Sequence, residues 1–404
     1  MPTAQTMAPS VKSILSAELP SLIELRRDLH KHPELSYQER RTSQVVQREL
    51  AALGIEFKAG LARGTGVIGY LPATQPTSRG AVGLRADMDA LPIEERTGKP
   101  YASCTKGVMH ACGHDGHTTI LIGAARVLAR LERPRPVTFI FQPAEEGGGG
   151  AEVLCNEGAL AGEAHGGLGS PVETIFGLHG WPSFQLGHVA SRPGPLLAAT
   201  DDFVVTVKGT QSHGAYPHYG HDPIVASAQI ITALQTIVSR NVGPLDSVVV
   251  SIGAINAGTA DNIIPESVRF IGTMRTLSRD MRVLGKKRFY EIVENTAKAM
   301  GCAAEIQWHQ GYPITANDGA TTERFFEIAR ATLGEDRVET VDQPTMGGED
   351  FSYYGDHAKA CFFLLGLRPK GATSCPTLHQ PDFDFNDEAL APGIEMMVAL
   401  ATKA

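Results

Sequence analysis

The sequence predicts an α/β protein of two domains: a catalytic domain built on a sheet, and a smaller ferredoxin-like α+β domain inserted into it. Apolar runs of strand length alternate with segments of helical periodicity in the first and last parts of the chain. Between them, the order strand–helix–strand–strand–helix–strand is that of a split β-α-β unit. The chain of 404 residues is long enough for both cores. We place the first part of the catalytic domain at 1–188, the inserted domain at 189–314 and the second part of the catalytic domain at 315–404.

The first part of the catalytic domain begins with a helical segment over residues 20–54. It contains "LIELRRDLHKHPELS" and "RRTSQVVQRELAALG", with Gly54 as the stop signal. The strands "TGVIGYLP" and "AVGLRADMD" follow, then the helix "GHTTILIGAARVLARL" and the buried strands "PVTFIFQP" and "TIFGLHG". Gly64-x-Gly66-x-x-Gly69 matches a dinucleotide-binding fingerprint, but it leads into a strand and opens no helix, so we interpret it as a turn.

The inserted domain begins with the strand "DDFVVTVKG" (201–209) and the helix over 222–240. The strands "SVVVSIGAIN" and "ESVRFIGTMRT", the helix "RVLGKKRFYEIVENTAKAMG" and the strand "AAEIQWHQG" complete the split unit. The α/β pattern resumes near residue 315 and ends in a C-terminal helix.

Composition excludes several classes of function. A formal net charge of −8 disfavours nucleic acid as a partner. The chain contains no run of 18 apolar residues, so we predict no membrane-spanning helix. The segment "MPTAQTMAPSVKS" lacks the apolar core of a signal peptide. Six cysteines, spread thinly, do not form a disulfide framework, so we expect a cytoplasmic location. Cys112 is then available as a thiolate ligand or as a nucleophile.

Side chains of the kinds that bind metal ions follow several predicted strands. The stretch "MHACGHDGHTT" contains three histidines, a cysteine and an aspartate, and "GLRADMDALP" places Asp87 and Asp89 on the same side of a strand end. "FQPAEEGGGG" places Glu145 and Glu146 after a buried strand. Adjacent carboxylates point in different directions, so one can bind a metal while the other takes a proton. Single histidines follow two further strand-like runs, in "IFGLHGWP" and "TLHQPDF".

Each of these features alone has an ordinary structural explanation, such as a helix cap, an acidic loop or a hydrogen-bonded histidine. Together they form a set of imidazole, thiolate and carboxylate groups that suits zinc and its first-row neighbours. One edge of a sheet could gather them. Five ligands exceed the four of a closed structural zinc site, so two ions that share ligands fit better. The five candidate ligands are Cys112, His114, Glu146, His179 and His379.

Ordered motifs along the chain resemble the M20 metallopeptidase clan. They are "RADMDALP", "MHACGHDGHT", "FQPAEEGGGGA", "GLHG", "SHGAYPH", "NIIPE", "GGEDFSYY" and "LHQPDF". Within the clan they are most similar to the amidohydrolase branch, which includes hippurate hydrolases, N-acyl-amino-acid amidohydrolases (aminoacylases) and auxin-conjugate hydrolases. The resemblance runs from about residue 20 to the C-terminus. It implies a catalytic α/β domain with two divalent metal ions, Zn²⁺ or else Mn²⁺, Co²⁺ or Ni²⁺, and an inserted lid used in a homodimer.

Carried over residue by residue, the resemblance implies that Cys112 bridges the two ions and that Glu145 is the general base. Other clan members have His-x-Asp where this chain has Asp87-x-Asp89, and an aspartate where it has Cys112. We therefore expect His114 to replace the missing histidine ligand and Asp89 to orient a ligand histidine. The role of Asp87 stays open. His117 lies on the same helix face as His114 and is the alternative ligand.

Three residues of the inserted domain resemble substrate-binding groups of the clan. His213 resembles the histidine that polarises the scissile carbonyl group. Asn262 and Arg275 resemble groups that bind the carboxylate of the substrate. In the resembling dimeric enzymes, the lid histidine completes the site of the other protomer.

The expected reaction is hydrolysis of the amide bond of an N-acyl or N-aroyl amino acid, giving a carboxylic acid and a free amino acid. Metal-bound hydroxide would attack, with Glu145 as the base. Two alternatives stay open: an amide hydrolase in which Cys112 is a covalent nucleophile, and a non-catalytic protein of the same fold that binds small molecules. Insensitivity to a chelator would favour the first, and absence of turnover would favour the second.

Overall fold

The computed structural model describes residues 10–404, which divide into two compact units. The larger unit runs to Leu196 and continues over Ala316–Asp342 and Asp350–Ala404, and the smaller unit comprises Leu197–Thr315 and Gln343–Glu349. The first division follows residue 196 and not residue 188, because the strand Val189–Ser191 pairs within the sheet of the larger unit. The segment considered as a signal peptide begins in residues 1–9, which lie outside the described residues.

The larger unit is built on an eight-stranded mixed sheet. Its strands, in spatial order, are Glu56–Leu61, Gly66–Leu71, Val137–Gln142, Ala81–Asp87, Val172–Gln185, Lys359–Arg368, Val189–Ser191 and Val338–Thr340. The third to sixth strands in this order are parallel to one another, whereas the first two pair antiparallel. The α/β class predicted from the alternating pattern is confirmed. The three-glycine motif forms a turn and leads into a strand, as expected.

Within residues 10–404, six α-helices belong to the larger unit: Val11–Lys31, Arg40–Ala52, His114–Leu128, Gly150–Asn156, Gly319–Leu333 and Leu390–Lys403. The prediction of a helix continuing through "HKHPELS" is wrong, since the first helix ends at Lys31. Pro33 disfavours helical backbone at His32, so the chain leaves the helix there. The loop that follows passes close to the functional edge of the sheet. None of the helices in the described part of the chain is long and apolar enough to cross a membrane.

Burial of the helix His114–Leu128 fixes the position of the residues that begin it. Apart from Arg126, all of its residues are buried, and it packs against the first and last helices of the unit. A Cβ atom at Gly116 would lie 2.5 Å from the Phe385 ring, so only glycine allows this close approach. The N-terminus of this helix lies beside the carboxyl end of the strand Ala81–Asp87, because the Thr118 hydroxyl group donates to the Asp87 carbonyl group at 2.8 Å. Open α/β sheets place ligands at this edge.

The smaller unit has the predicted order of elements. Its antiparallel sheet consists of Val248–Ala257, Ser267–Thr276, Ala199–Lys208 and Ala303–Gln310, in that spatial order, with the helices Pro223–Thr236 and Arg279–Ala299. The first and third of these strands in chain order lie at the centre of the sheet, and the second and fourth lie at its edges. This is the ferredoxin-like arrangement. Phe203, Phe270 and Phe289 are fully buried in its core. A short pair, Ser212–His213 with Ile263–Ile264, extends from this unit. The remaining short strands in the described part of the chain are Gly194–Leu197 and Thr315–Asn317.

Candidate metal centre

The five predicted ligands come together at the carboxyl edge of the large sheet. Gly113, with a φ of 88°, turns the chain sharply between Cys112 and the helix that His114 begins. The remaining three ligands come from a strand and two loops of the larger unit: His179 from the strand Val172–Gln185, Glu146 from the loop after Val137–Gln142, and His379 from the C-terminal loop.

Distances group the donor atoms into two overlapping sets. Donor atoms of Cys112, His114 and His179 all lie within 4.8 Å of one another, and so do those of Cys112, Glu146 and His379. Cys112 Sγ is 3.2 Å from His179 Nε2, and Glu146 Oε1 is 3.2 Å from His379 Nε2. Because the two sets overlap at Cys112, these five side chains would be able to hold two cations.

Hydrogen bonds at the far ring nitrogens orient two of the histidines. His179 Nδ1 donates to the Gly180 carbonyl group at 2.9 Å, which leaves a lone pair on Nε2, the atom that faces Cys112. His114 Nδ1 donates to Asp89 at 3.2 Å, and its buried Nε2 has no hydrogen-bond partner within residues 10–404. Buried polar atoms are nearly always paired, and a ligand histidine characteristically donates its other nitrogen to a carboxylate or carbonyl. The side chains therefore fit a metal.

The electrostatic environment favours positive charge at this edge. Burial lowers the pKa of a histidine, yet the carboxylates of Asp87 and Asp89 raise the pKa of His114 to about 10. Burial and the neighbouring His117 instead hold the pKa of His179 well below its ordinary value, so that ring stays neutral. A neutral imidazole is the ligand form, and the field that attracts a proton to His114 also attracts a cation.

Burial, together with the charges of Glu146 and Glu145, raises the pKa of the Cys112 thiol well above its ordinary value. A catalytic cysteine needs a lowered pKa, because the thiolate is the nucleophile. The surroundings of Cys112 do not provide this without a cation. This argues against a metal-free mechanism in which Cys112 attacks the substrate.

Asp87 and His117 make hydrogen bonds with each other and with other protein groups. His117 Nδ1 donates to Asp87 at 2.7 Å, while its Nε2 accepts from the Gly180 amide, also at 2.7 Å. Arg85 donates to the other oxygen of Asp87 at 2.6 Å. Donor atoms of Asp87, His114 and His117 do cluster within 4.8 Å. Both nitrogens of His117 already have hydrogen-bond partners, however, and Arg85 forms an ion pair with Asp87. We therefore expect the two residues to hold neighbouring groups in position.

Asp89 joins the ligands to the loop that contains the two glutamates. Its Oδ1 accepts from the Glu145 amide and its Oδ2 from the Glu146 amide, each at 3.0 Å. Burial opposes ionisation, but the hydrogen bonds from His114, Ser36 and the Glu146 amide keep the pKa of Asp89 below its ordinary value. Asp89 thus stays charged. The structure places it against His114, the contact expected of a residue that orients a ligand histidine.

Glu145 is only 6% exposed, and an oxygen of its carboxylate belongs to a set with His114 and Glu146 within 4.8 Å. Its Oε1 accepts from the Asp350 amide at 3.4 Å. Glu145 thus faces the same edge as the ligands. Its orienting contacts differ from those of Glu146, which pairs with His379.

Three residues that were not predicted as site residues also support the site, and one of them, Asp350, lies in the motif "GGEDFSYY". Ser36 donates to Asp89 at 2.7 Å and Glu39 accepts from the Ala144 amide at 2.8 Å. Asp350 accepts from Arg85 and Gln142 within the larger unit. In the sequence, Glu39 directly precedes a helix, where a carboxylate is normally interpreted as a cap, so its contact with a distant loop left no local pattern.

The three predicted substrate-binding residues lie in the smaller unit. His213 is exposed on the short strand pair, and its Nδ1 accepts from the Ala215 amide at 3.0 Å. The proton of a neutral His213 is therefore on Nε2, which is free to donate. The Asn262 carbonyl group accepts from the Gly214 amide at 2.7 Å. Arg275 is half-buried, and its guanidinium makes no ion pair or hydrogen bond within the part of the chain that the structure describes.

Comparisons with known proteins agree on one family. Residues 83–403 match peptidase family M20/M25/M40. The chain is 40% identical over 372 residues to N-acetyl-L-cysteine deacetylase of Bacillus subtilis, covering 91% of this chain and 84% of the relative. It is 38% identical to IAA-amino acid hydrolase ILR1-like 4 of Arabidopsis thaliana, covering 95% and 85%. Among solved structures, the YXEP protein of Bacillus subtilis, a dinuclear metal binding peptidase from M20 family, superposes with a TM-score of 0.79 at 35% identity, covering 96% and 98%.

Metal binding should release a proton from Cys112. The thiol is protonated at neutral pH because its pKa is raised, whereas a ligand sulfur must be a thiolate, so metal affinity should increase with pH. Titration calorimetry with Zn²⁺ in buffers of different ionisation enthalpy should show about one more proton released by the wild type than by Cys112→Asp, whose carboxylate is already ionised. Equal proton release by the two proteins would remove Cys112 from the ligand set.

Proposed function

The chain belongs to peptidase family M20/M25/M40, and from that premise we propose that it hydrolyses the amide bond of N-acyl amino acids. Its products would be a carboxylic acid and a free amino acid. The observation that carries the proposal is the overlap of the two donor sets at Cys112, with Glu145 beside them as a buried carboxylate that is not needed as a ligand. The names of the relatives, a deacetylase of N-acetyl-L-cysteine and a hydrolase of IAA-amino acids, support this class of substrate.

Cys112, His114, Glu146, His179 and His379 would hold two divalent cations, and the thiolate among them favours Zn²⁺ over harder ions. When bound, these cations would lower the pKa of a water molecule and polarise the amide carbonyl group. Glu145 takes a proton from the attacking water and delivers it to the nitrogen of the leaving amine. His213 donates its Nε2 proton in a hydrogen bond to the carbonyl oxygen as negative charge develops there.

A free carboxylate on the substrate fits the chemistry of the smaller unit. The half-buried guanidinium of Arg275 lacks a partner within residues 10–404, and a planar guanidinium binds a carboxylate through two parallel hydrogen bonds. We assign Arg275, with Asn262, to binding the carboxylate of the amino-acid part of the substrate.

The proposal also includes a homodimer and a cytoplasmic location.

A non-catalytic binding protein of this fold is the weaker alternative. A protein that only binds small molecules would not need a buried carboxylate beside a set of metal ligands, because burying a charge costs stability. Glu145 is retained, and its backbone is held in place by Asp89.

Turnover of a panel of substrates tests the proposal. Benzoyl-, acetyl-, indoleacetyl- and long-chain acyl-amino acids should include at least one that is hydrolysed. A chelator should abolish that activity, and added Zn²⁺ or Mn²⁺ should restore it. Activity that survives complete removal of metal would refute the mechanism, and absence of hydrolysis across the panel by metal-loaded protein would refute the substrate class.

Amidation of the carboxylate on the best substrate should raise KM in the wild type, because the bidentate pair with Arg275 is lost. Amidation should raise KM much less in Arg275→Ala, because this variant has already lost the pair. Arg269→Ala is the matched control, since Arg269 is an exposed arginine on the same strand. Equal activity of the wild type on the acid and the amide would remove Arg275 from the site.

Glu145→Gln should lower kcat by about 10²- to 10⁴-fold, the usual contribution of a general acid–base, while metal content stays at the wild-type level. Glu146→Gln is the matched control, because the same change at a ligand should lower metal content as well. Elemental analysis and single-substrate kinetics on the purified variants provide both measurements. If Glu145→Gln loses metal and Glu146→Gln keeps it, the two roles must be exchanged.

His213 should act on the metal centre of the other protomer in a homodimer. Mixed dimers of His213→Ala and Glu145→Ala, each nearly inactive alone, then contain one site with both groups intact, so activity should return. If His213 acts within its own chain, every site in the mixture lacks one group and remains inactive. Light scattering on the same samples establishes whether dimers are present, and a fully active monomer would contradict the arrangement.

A further inference from the structure

We propose that Glu39 is a positioning residue that holds the loop containing Glu145 and Glu146. Three consecutive amides of this loop donate to buried carboxylates: Ala144 to Glu39 Oε1 at 2.8 Å, and Glu145 and Glu146 to the two oxygens of Asp89 at 3.0 Å each. The inference rests on the proposed function, in which Glu145 is the base and Glu146 is a ligand. The three hydrogen bonds are the same whichever reaction the protein catalyses.

The Ala144 backbone needs such support. Its φ of 57° is in the left-handed region, which is unfavourable for a residue with a Cβ atom. This conformation directs the amides of residues 144, 145 and 146 toward acceptors that come from two different segments of the chain. Without an acceptor, the buried Ala144 amide would be left unsatisfied, and a right-handed backbone would turn Glu145 and Glu146 away from their present directions.

The Glu39 side chain does not cap the helix Arg40–Ala52, although Glu39 is the N-cap residue of that helix. Its side chain makes no hydrogen bond to the amides of that helix. The carboxylate of Glu34 does this instead, accepting from the amides of Arg41 and Thr42 at 2.9 Å each. The fully buried Glu39 carboxylate instead accepts from the amides of Tyr37 and Ala144 and from the Thr65 hydroxyl group.

The segment around Glu39 contacts the loop at more than one point. The Tyr37 hydroxyl group donates to the Gly148 carbonyl group at 2.7 Å, and Ser36 donates to Asp89. Burial, together with the charge of Asp89, raises the pKa of Glu39 to about 7, so its ionised form is costly. A carboxylate buried at such a cost, with one hydrogen bond accepted from the loop, fits a role in fixing the loop.

The test compares variants of the metal-loaded enzyme on its best panel substrate. Glu39→Ala should lower kcat by about 10- to 100-fold with little change in KM, the usual effect of removing a group that holds a catalytic or ligand residue. Hydrogen exchange measured by mass spectrometry should become faster in residues 143–150. Glu39→Gln should keep most of the activity, because its amide oxygen can face the Ala144 amide while its NH₂ group faces the Thr65 hydroxyl group.

Glu34→Ala is the matched control, since it removes a carboxylate of the same segment that accepts from helix amides and not from the loop. It should leave kcat and loop exchange unchanged. Ala144→Gly gives a second comparison, because glycine adopts left-handed backbone without strain. The factor by which Glu39→Ala lowers kcat should therefore be smaller in the Ala144→Gly background.

Unchanged loop exchange in Glu39→Ala would overturn the inference, whether or not kcat falls. A loss in Glu39→Gln equal to that in Glu39→Ala would also overturn it, since the carboxamide keeps the acceptor. These outcomes differ from failure of the proposed function, which would appear as wild-type turnover in Glu145→Gln while the loop of Glu39→Ala still exchanges faster.

Discussion

The buried carboxylate of Asp89 is the contact on which the rest of the site depends. It accepts hydrogen bonds from the Ser36 hydroxyl group, from His114 Nδ1 and from the amides of Glu145 and Glu146. These donors come from separate parts of the chain, so one anion sets the positions of a ligand histidine and of both glutamates. A carboxylate that accepts several hydrogen bonds stays ionised even when buried. The negative charge that results also attracts the cations that the site is built to hold.

The second constraint is the balance of charge below the metal centre. Arg85 donates to both Asp87 and Asp350, and Asp87 in turn orients His117. Each of these groups is buried, and each would be costly alone. Arg85 offsets part of the charge of Asp87 and Asp350, so these buried carboxylates cost less stability than they would alone. Within this network both ring nitrogens of His117 have protein partners, Asp87 and the Gly180 amide.

The two adjacent glutamates acquire different environments from the same short loop. Glu146 is directed toward His379 and Cys112, whereas Glu145 is buried and lies near the Asp350 amide. The left-handed Ala144 separates the loop from the preceding strand, and Glu39 and Asp89 hold its amides. The different directions of the two carboxylates therefore depend on backbone hydrogen bonds to Glu39 and Asp89.

The sequence by itself determined the α/β class, the split unit and the residue types of the site, because periodicity and strand-end motifs are local patterns. It identified Cys112, His114, Glu146, His179 and His379 as a set, since thiolate, imidazole and carboxylate groups together carry a chemical meaning. It left Asp87 and His117 open and missed Glu39. Whether a histidine binds metal depends on what its second nitrogen meets, and the partners of His117 are Asp87 and the Gly180 amide, far apart in the chain. Only the tertiary structure brings these groups into contact, so only it could decide.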